Sequence, residues 1–211
     1  MPALNDRAWV WGYVLSSKGR VGPDSKPWQI PFVGESHCSL ETAAAYLGAS
    51  NVVAMNNSPG AMTPDYLDKL RPFRQVLWGL AHGDYEGSAR KLGRLSARYP
   101  NLAGGLIDDF LDYHGPSKAI TPEHTRAIQA ALKESNPALS LYAVQYTWQD
   151  LNALVPFLPW IDGISLWVWV ASLYDWQVKM DFFLEQYKAR TGKPILLGLF
   201  LHDYGGSKQP M

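Results

Sequence analysis

Two adjacent carboxylates, Asp108 and Asp109, end an apolar stretch that reads GGLIDDF from residue 104 to 110. Carboxyl groups in such a place can serve as a general acid, a general base or a nucleophile, because partial desolvation separates their pKa values. Aspartate is also a common helix N-cap, which is the structural alternative. The next predicted helix begins only near Thr121, so the spacing favours a functional role for at least one of the two.

Other polar and aromatic residues also follow apolar stretches. Asp203, in GLFLHDYG at 198–205, is predicted to be a second catalytic carboxylate, with anchoring of the local turn as the alternative. The residues expected to bind substrate lie at or after the ends of apolar stretches, and they are Glu35, His82, Tyr113, Gln145, Tyr146, Trp167, Trp169 and His202. The histidines can equally be structural, and the two tryptophans can equally belong to the core.

Apolar stretches alternate with amphipathic ones along the whole chain. The predicted strands cover residues 7–15, 51–56, 75–81, 102–108, 139–146, 163–170 and 193–201. The predicted helices cover residues 39–49, 63–73, 86–99, 121–135, 150–160 and 175–192. Local signals support these bounds, since Ser39 is a suitable N-cap, Thr-Pro pairs open two helices at residues 63 and 121, and Gly192 ends the last one.

The strands are near-continuous apolar runs, which is typical of parallel strands covered by helices. The pattern predicts an α/β fold, a (β/α) TIM-type barrel that forms a single domain over residues 1–211, with seven βα units visible and the eighth missing. The C-terminal ends of all strands would then lie on one face with the polar residues. Because the chain stops after the seventh strand, we expect a C-terminally incomplete chain, a closed seven-stranded barrel, or a second copy or other partner over the open edge.

Composition narrows the class of protein. Apolar residues make up 47% of the chain, net charge is zero, and no basic block suggests nucleic acid or membrane as a partner. The single cysteine, Cys38, cannot form an internal disulfide, and we find no signal peptide pattern. We therefore expect a soluble, cytoplasmic protein, or a secreted one if a signal peptide was removed. Nine tryptophans and eleven tyrosines suit an aromatic cleft that stacks sugar rings or other planar ligands.

The layout of nearly the whole chain, with GGLIDDF and GLFLHDYG as local marks, resembles a glycoside-hydrolase-type (β/α)8 barrel. In the large clan of such hydrolases, one catalytic carboxylate ends the fourth strand and the other ends the seventh. The resemblance implies that Asp108 or Asp109 is the acid/base and that Asp203 is the second carboxylate. Those families usually carry glutamate at both positions, with asparagine before the first, so the resemblance identifies no particular family.

The leading hypothesis is therefore a carbohydrate-active hydrolase that cleaves glycosidic bonds with paired carboxylates and needs no cofactor or metal. We favour Asp109 as the protonated partner, then Asp108, with Asp203 as the second carboxylate and a small glycoside or oligosaccharide as substrate. Two alternatives stay open. One is a metal-dependent hydrolase or isomerase that uses His82, Asp108 or Asp109, and His202 as ligands, and the other is a non-catalytic sugar-binding barrel.

Overall fold

The computed structural model describes residues 4–13, 15–16, 19–20, 39–55, 62–111, 120–168 and 179–198. The main strands are β1 (Trp9–Tyr13), β2 (Asn51–Met55), β3 (Gln75–Gly79), β4 (Leu102–Ile107), β5 (Ser140–Tyr146), β6 (Gly163–Trp167) and β7 (Ile195–Gly198). The helices between them are α1 (Leu40–Leu47), α2 (Pro64–Lys69), α3 (Tyr85–Leu95), α4 (Pro122–Lys133), α5 (Leu151–Leu154) and α6 (Met180–Thr191). A helical turn, Leu4–Arg7, precedes β1, and two two-residue strands, Leu15–Ser16 and Gly19–Arg20, pair with each other.

All seven predicted strands and all six predicted helices are confirmed, most with bounds that differ by only a few residues. The seven strands follow one another in the sheet in the order of the chain. Parallel pairing joins β1 to β2, β2 to β3, β3 to β4, β5 to β6, and β6 to β7. The chain thus has the predicted α/β fold class of a (β/α) TIM-type barrel, and seven strands of its sheet lie in the part of the chain that the structure describes.

The described residues form two compact units. The first contains residues 1–106 and 130–140, and the second contains residues 107–129 and 141–211. The first holds β1, β2, β3 and nearly all of β4, whereas the second holds nearly all of β5, β6, β7 and the residues that follow β4. The single domain expected over residues 1–211 stays a prediction.

Local sequence explains where the helices begin and end. The Ser39 hydroxyl accepts a hydrogen bond from the Thr42 N–H at 3.2 Å, which confirms the predicted cap of α1. Gly192 ends α6 in the left-handed conformation, with φ of 61°, where glycine avoids the steric cost of a Cβ. After α5 the chain continues as a 3-10 helix, Val155–Trp160, because prolines 156 and 159 cannot donate the hydrogen bonds of a regular α-helix.

Burial of the strands agrees with the apolar runs in the sequence. Every residue of β2 and of β6 is buried. The one polar residue of β2, Asn51, donates two 3.0 Å hydrogen bonds to the carbonyl groups of Asp6 and Ala8, which attaches the segment before β1 to the sheet. Strands buried in this way need helices over them, which is the arrangement that the sequence predicted.

Register decides which side chains of the second unit share a face. Tyr146 of β5 lies opposite Trp167 of β6, and Trp167 lies opposite Gly198 of β7. Successive side chains of a strand point to opposite faces, so Tyr146 and Trp167 share one face and Gln145 points to the other. A Cβ on Gly198 would overlap the Trp167 ring, so glycine leaves the space that the indole occupies.

Candidate active site

The loop that follows β4 carries the two adjacent carboxylates and is held by its own apolar residues. Phe110 and Leu111 are both buried directly after the pair. Phe110 packs edge-to-face on Phe157 of the 3-10 helix, with ring centroids 5.0 Å apart. Burial of these two side chains helps to fix the backbone of residues 108–111, which carries Asp108 and Asp109.

Asp108 has the environment of a carboxylic acid that keeps its proton near neutral pH. Its side chain is partly buried, and its Oδ1 accepts a 3.0 Å hydrogen bond from the backbone N–H of Asp109. Desolvation by burial, and then the neighbouring charge of Asp109, raise the pKa of Asp108 from 3.8 to about 7, while the N–H bond opposes the shift. A substantial fraction of Asp108 is therefore protonated at neutral pH.

Asp109 is fixed from both its backbone and its side chain. Its φ of 47° places it in the left-handed region, which non-glycine residues adopt rarely and aspartate more readily than most. The Tyr146 hydroxyl donates a 2.6 Å hydrogen bond to Asp109 Oδ1. The strained backbone and the short hydrogen bond together hold the carboxylate in one place, and strain of this kind concentrates at functional sites.

The turn that follows β5 presents an aromatic pair beside this carboxylate. Tyr146 is only 5% exposed, and Trp148 stacks on it with ring centroids 5.8 Å apart and an interplanar angle of 9°. Trp148 itself is 45% exposed. The pair thus runs from the buried hydroxyl that holds Asp109 to an aromatic surface that solvent reaches.

Gln149 joins the two loops that carry these residues. Its Oε1 accepts a 2.9 Å hydrogen bond from the Tyr146 N–H, and its Nε2 donates a 2.5 Å hydrogen bond to the Leu111 carbonyl. One side chain thus connects the turn after β5 to the loop after β4. Gln149 was not among the predicted site residues, because no local pattern reveals a hydrogen bond between residues so far apart in the chain.

Two further predicted residues, Trp167 and Gln145, occupy opposite faces of the second unit's strands. The indole N–H of Trp167 donates a 3.0 Å hydrogen bond to the Ser165 hydroxyl, and its ring covers Gly198 on the face that Tyr146 shares.

Gln145 is fully buried and lies near Tyr187 of α6. Burial raises the pKa of Tyr187 to about 12, and the Gln145 amide acts in the opposite direction. Within the described residues, however, neither the Gln145 amide nor the Tyr187 hydroxyl has a hydrogen-bond partner of ordinary geometry. The predicted roles of Trp167 and Gln145 in substrate binding stay predictions.

His82 belongs to the first compact unit. Its Nδ1 forms a 2.7 Å hydrogen bond with the Tyr85 hydroxyl, and the two rings pack edge-to-face. This contact agrees with the structural alternative for His82 without testing the predicted role in binding. The remaining predicted site residues lie outside the described residues and stay predictions, and they are Glu35, Tyr113, Trp169, His202 and Asp203.

Within the ranges that the structure describes, no three histidine, cysteine, aspartate or glutamate side chains are grouped as a metal ion would require. None of the helices in this part of the chain has the length and apolar character needed to cross a membrane.

Comparison with known proteins shows similarity of structure only. No protein-family model matches the sequence. No curated protein matches it. Among solved structures, an FMN-binding beta-glucuronidase from Facaelibacterium prausnitzii L2-6 matches 74% of this chain at a TM-score of 0.50 and 14% identity. A beta-glucuronidase of Bacteroides uniformis matches 72% at 0.50 and 11%, and a GH10 xylanase of Thermobacillus composti matches 80% at 0.49 and 15%.

The chain spans only part of each of these proteins, namely 25% and 20% of the two glucuronidases and 69% of the xylanase. At such low identity the likeness to the glucuronidases shows the fold alone. It agrees with the TIM-type barrel class that the strand order defines. The structural neighbours are glycoside hydrolases, as the resemblance in the sequence predicted, and no specific family is identified.

Proposed function

We propose that this protein is a carbohydrate-active hydrolase that cleaves glycosidic bonds, with Asp108 as the proton donor. One observation carries the proposal, namely that two adjacent carboxyl groups at the end of β4 stand in different environments. Burial and the charge of Asp109 raise the pKa of Asp108 to about 7, whereas Asp109 accepts the 2.6 Å hydrogen bond from Tyr146. Pairs of carboxyl groups whose surroundings differ in this way can divide acid and base roles between them.

The chemistry needs one carboxyl group that is protonated and one that is ionised. Asp108 donates its proton to the glycosidic oxygen as the bond to the sugar breaks, so that the leaving group departs as a neutral alcohol. The sequence favoured Asp109 as the donor, but the raised pKa of Asp108 supports Asp108 instead. Asp109 then accepts the hydrogen bond from Tyr146, which ties the loop after β4 to β5, and contributes the charge that helps Asp108 to hold its proton.

Asp203 is the proposed second carboxylate, by its place in the sequence after the seventh strand. It attacks the anomeric carbon itself or activates a water molecule for that attack. A carboxyl separation of about 5 Å corresponds to direct attack with retention, and one of about 6.5–9.5 Å leaves room for water and gives inversion. The product stereochemistry, followed by NMR during hydrolysis, distinguishes the two.

The test is hydrolysis of a panel of aryl glycosides by the wild type and by Asp108→Asn, Asp109→Asn and Asp203→Asn. Loss of the proton donor lowers turnover by about 10²- to 10⁴-fold while the fold is kept. Asp181→Asn is the matched control, since Asp181 is an exposed carboxylate of α6 in the same compact unit. If all three site variants keep wild-type rates on a cleaved substrate, the carboxylate assignment is wrong.

A sugar-binding protein without catalysis is the second candidate, and the exposed indole of Trp148 beside Asp109 is the observation that favours it. In that case the carboxylates only accept hydrogen bonds from sugar hydroxyls. A wild type that cleaves no aryl glycoside but binds an oligosaccharide would replace the hydrolase proposal with this one.

A further inference from the structure

The strand β7 and the helix α6 are much less covered than the other elements of the second unit. Every residue of β6 is buried, whereas in β7 only Gly198 is. In α6 only Met180 and Tyr187 are buried. Leu197 of β7 is 38% exposed, and Phe182 of α6 is 59% exposed. These two elements therefore present apolar side chains of the kind that an interface buries.

The strand β7 also offers backbone hydrogen-bonding groups. Among the strands that the structure describes, it pairs with β6 alone, so its other edge has no partner strand within the described residues. Register places Leu197 opposite Leu166, and Leu166 opposite Gln145, which lies near Tyr187 of α6. The exposed side chain of Leu197 thus lies on the same side of the sheet as α6, so one partner can cover both.

The exposed face of α6 is complementary to a second copy of itself. Four exposed residues recur at intervals of three and four and so share this face, and they are Phe182, Glu185, Gln186 and Ala189. Two such helices, packed antiparallel about Gln186, bring Phe182 of one copy onto Ala189 of the other. The same packing brings Glu185 next to the exposed Lys188 of the other copy. Two-fold symmetry makes each of these contacts twice.

One two-fold axis relates both the helices and the strands. Gln186 precedes Gly192, which ends α6, by six residues, or about 9 Å along the helix axis. The midpoint of β7, between Leu196 and Leu197, lies about 8 Å beyond Pro194 along an extended strand. Because the chain reverses between α6 and β7, helix and strand extend side by side from this turn. Their midpoints therefore lie at about the same distance from it.

We propose that α6 and β7 form the interface of a symmetric dimer, in which each pairs antiparallel with its counterpart in a second copy of the chain. The pairing supplies hydrogen bonds to the edge of β7 and buries Leu197 and Phe182. Glu185 and Lys188 set its direction, because parallel helices would place like charges together. The dimer does not depend on the proposed function.

The experiment is sedimentation velocity on the full-length protein from about 1 to 100 µM, where we expect a dimer that dissociates on dilution. Glu185→Lys should weaken the dimer about tenfold, because it places like charges together at two symmetric positions. Adding Lys188→Glu to that variant exchanges the charges and should restore the wild-type dimer. Leu197→Lys should abolish the dimer, since it puts a charge into the apolar pairing. Tyr46→Lys is the matched control, because Tyr46 is an exposed aromatic residue of α1, outside both elements.

A wild type that sediments as a monomer at every concentration would overturn the inference. The same holds if Glu185→Lys dimerises as the wild type does, or if the charge exchange fails to restore the dimer. Equal weakening by Leu197→Lys and Tyr46→Lys would also contradict it. Circular dichroism checks that each variant is folded, and if Leu197→Lys is not, the charge exchange decides. None of these results bears on hydrolysis of glycosides, so this inference and the proposed function fail independently.

Discussion

The hydroxyl group of Tyr146 donates a 2.6 Å hydrogen bond to Asp109 Oδ1, so the last residue of β5 positions a carboxylate in the loop after β4. The two residues are 37 positions apart in the chain. The predicted contact of Tyr146 with substrate stays a prediction, and what the structure shows is that its hydroxyl holds the Asp109 carboxylate.

Tyr146→Phe should lower turnover by about 10- to 100-fold, because it releases Asp109, whose charge helps Asp108 to hold its proton, and small displacements within a site have effects of that size. The phenylalanine ring keeps the stacking on Trp148, so only the hydroxyl is lost. The measurement is kcat and KM on an aryl glycoside that the wild type cleaves. Tyr142→Phe is the control, since it makes the same change on the same face of β5, and equal rates for the two variants would exclude the positioning role.

Asp109→Asn should lower the pKa of Asp108. Burial is the larger cause of the raised pKa and remains in the variant, but the charge of Asp109, which is the second cause, is removed. Asparagine still accepts the hydrogen bond from Tyr146, so the geometry is kept. In the wild type kcat/KM should fall as pH rises through about 7, where Asp108 loses its proton, and in the variant this decline should begin at lower pH.

The Asp109→Asn profile needs a comparison with a variant that removes the same charge elsewhere. Asp181→Asn does so at an exposed position of α6. If the alkaline side of the profile moves equally in both variants, or in neither, Asp109 does not act on Asp108 as described.

Asp108→Asn should raise the stability of the folded protein at neutral and higher pH. Because the folded pKa of Asp108 lies above the unfolded value of 3.8, its contribution to stability is complete below that pH and is lost as pH rises to about 7. Above pH 7 the wild type thus carries a buried charge that asparagine avoids, a difference on the order of 2 to 4 kcal/mol. Urea unfolding midpoints at pH 5, 6, 7 and 8 should show the gap between variant and wild type widening with pH, and a gap that stays constant contradicts the prediction.

The sequence predicted the strands because their signal is local. A largely apolar run such as residues 51–55 indicates a buried strand by its composition alone. Thr63–Pro64 and Gly192 mark helix ends, because each residue type imposes its own backbone geometry. The alternation of these signals predicted parallel strands covered by helices, and the regular spacing of seven such units favoured a barrel.

The site was predictable only in part, because its properties depend on contacts between distant residues. The sequence predicted Asp108 and Asp109 as site residues at the end of β4, but two neighbours in sequence give no sign of the contacts that each one makes in the fold. The sequence ranked Asp109 first as proton donor, whereas burial and the charge of Asp109 raise the pKa of Asp108 to about 7. Gln149 could not be predicted for the same reason, because its side-chain amide donates a hydrogen bond to the carbonyl of Leu111, 38 residues earlier.

Gln149→Ala should impair the site without unfolding the protein. The variant loses the acceptor for the Tyr146 N–H and the donor to the Leu111 carbonyl, so the turn after β5 is no longer fastened to the loop after β4. Two lost hydrogen bonds cost about 1 to 3 kcal/mol of stability, and we expect a lower unfolding midpoint together with lower turnover.

Gln129→Ala is the matched control, because the Gln129 amide makes only 3.5 Å contacts with Asp162 in the same unit. Gln149→Glu keeps an acceptor for Tyr146 but loses the donor to Leu111, so its turnover should lie between those of the wild type and Gln149→Ala. If Gln149→Ala and Gln129→Ala lose stability equally and both keep wild-type turnover, the connection between the two loops has no part in the function of the site.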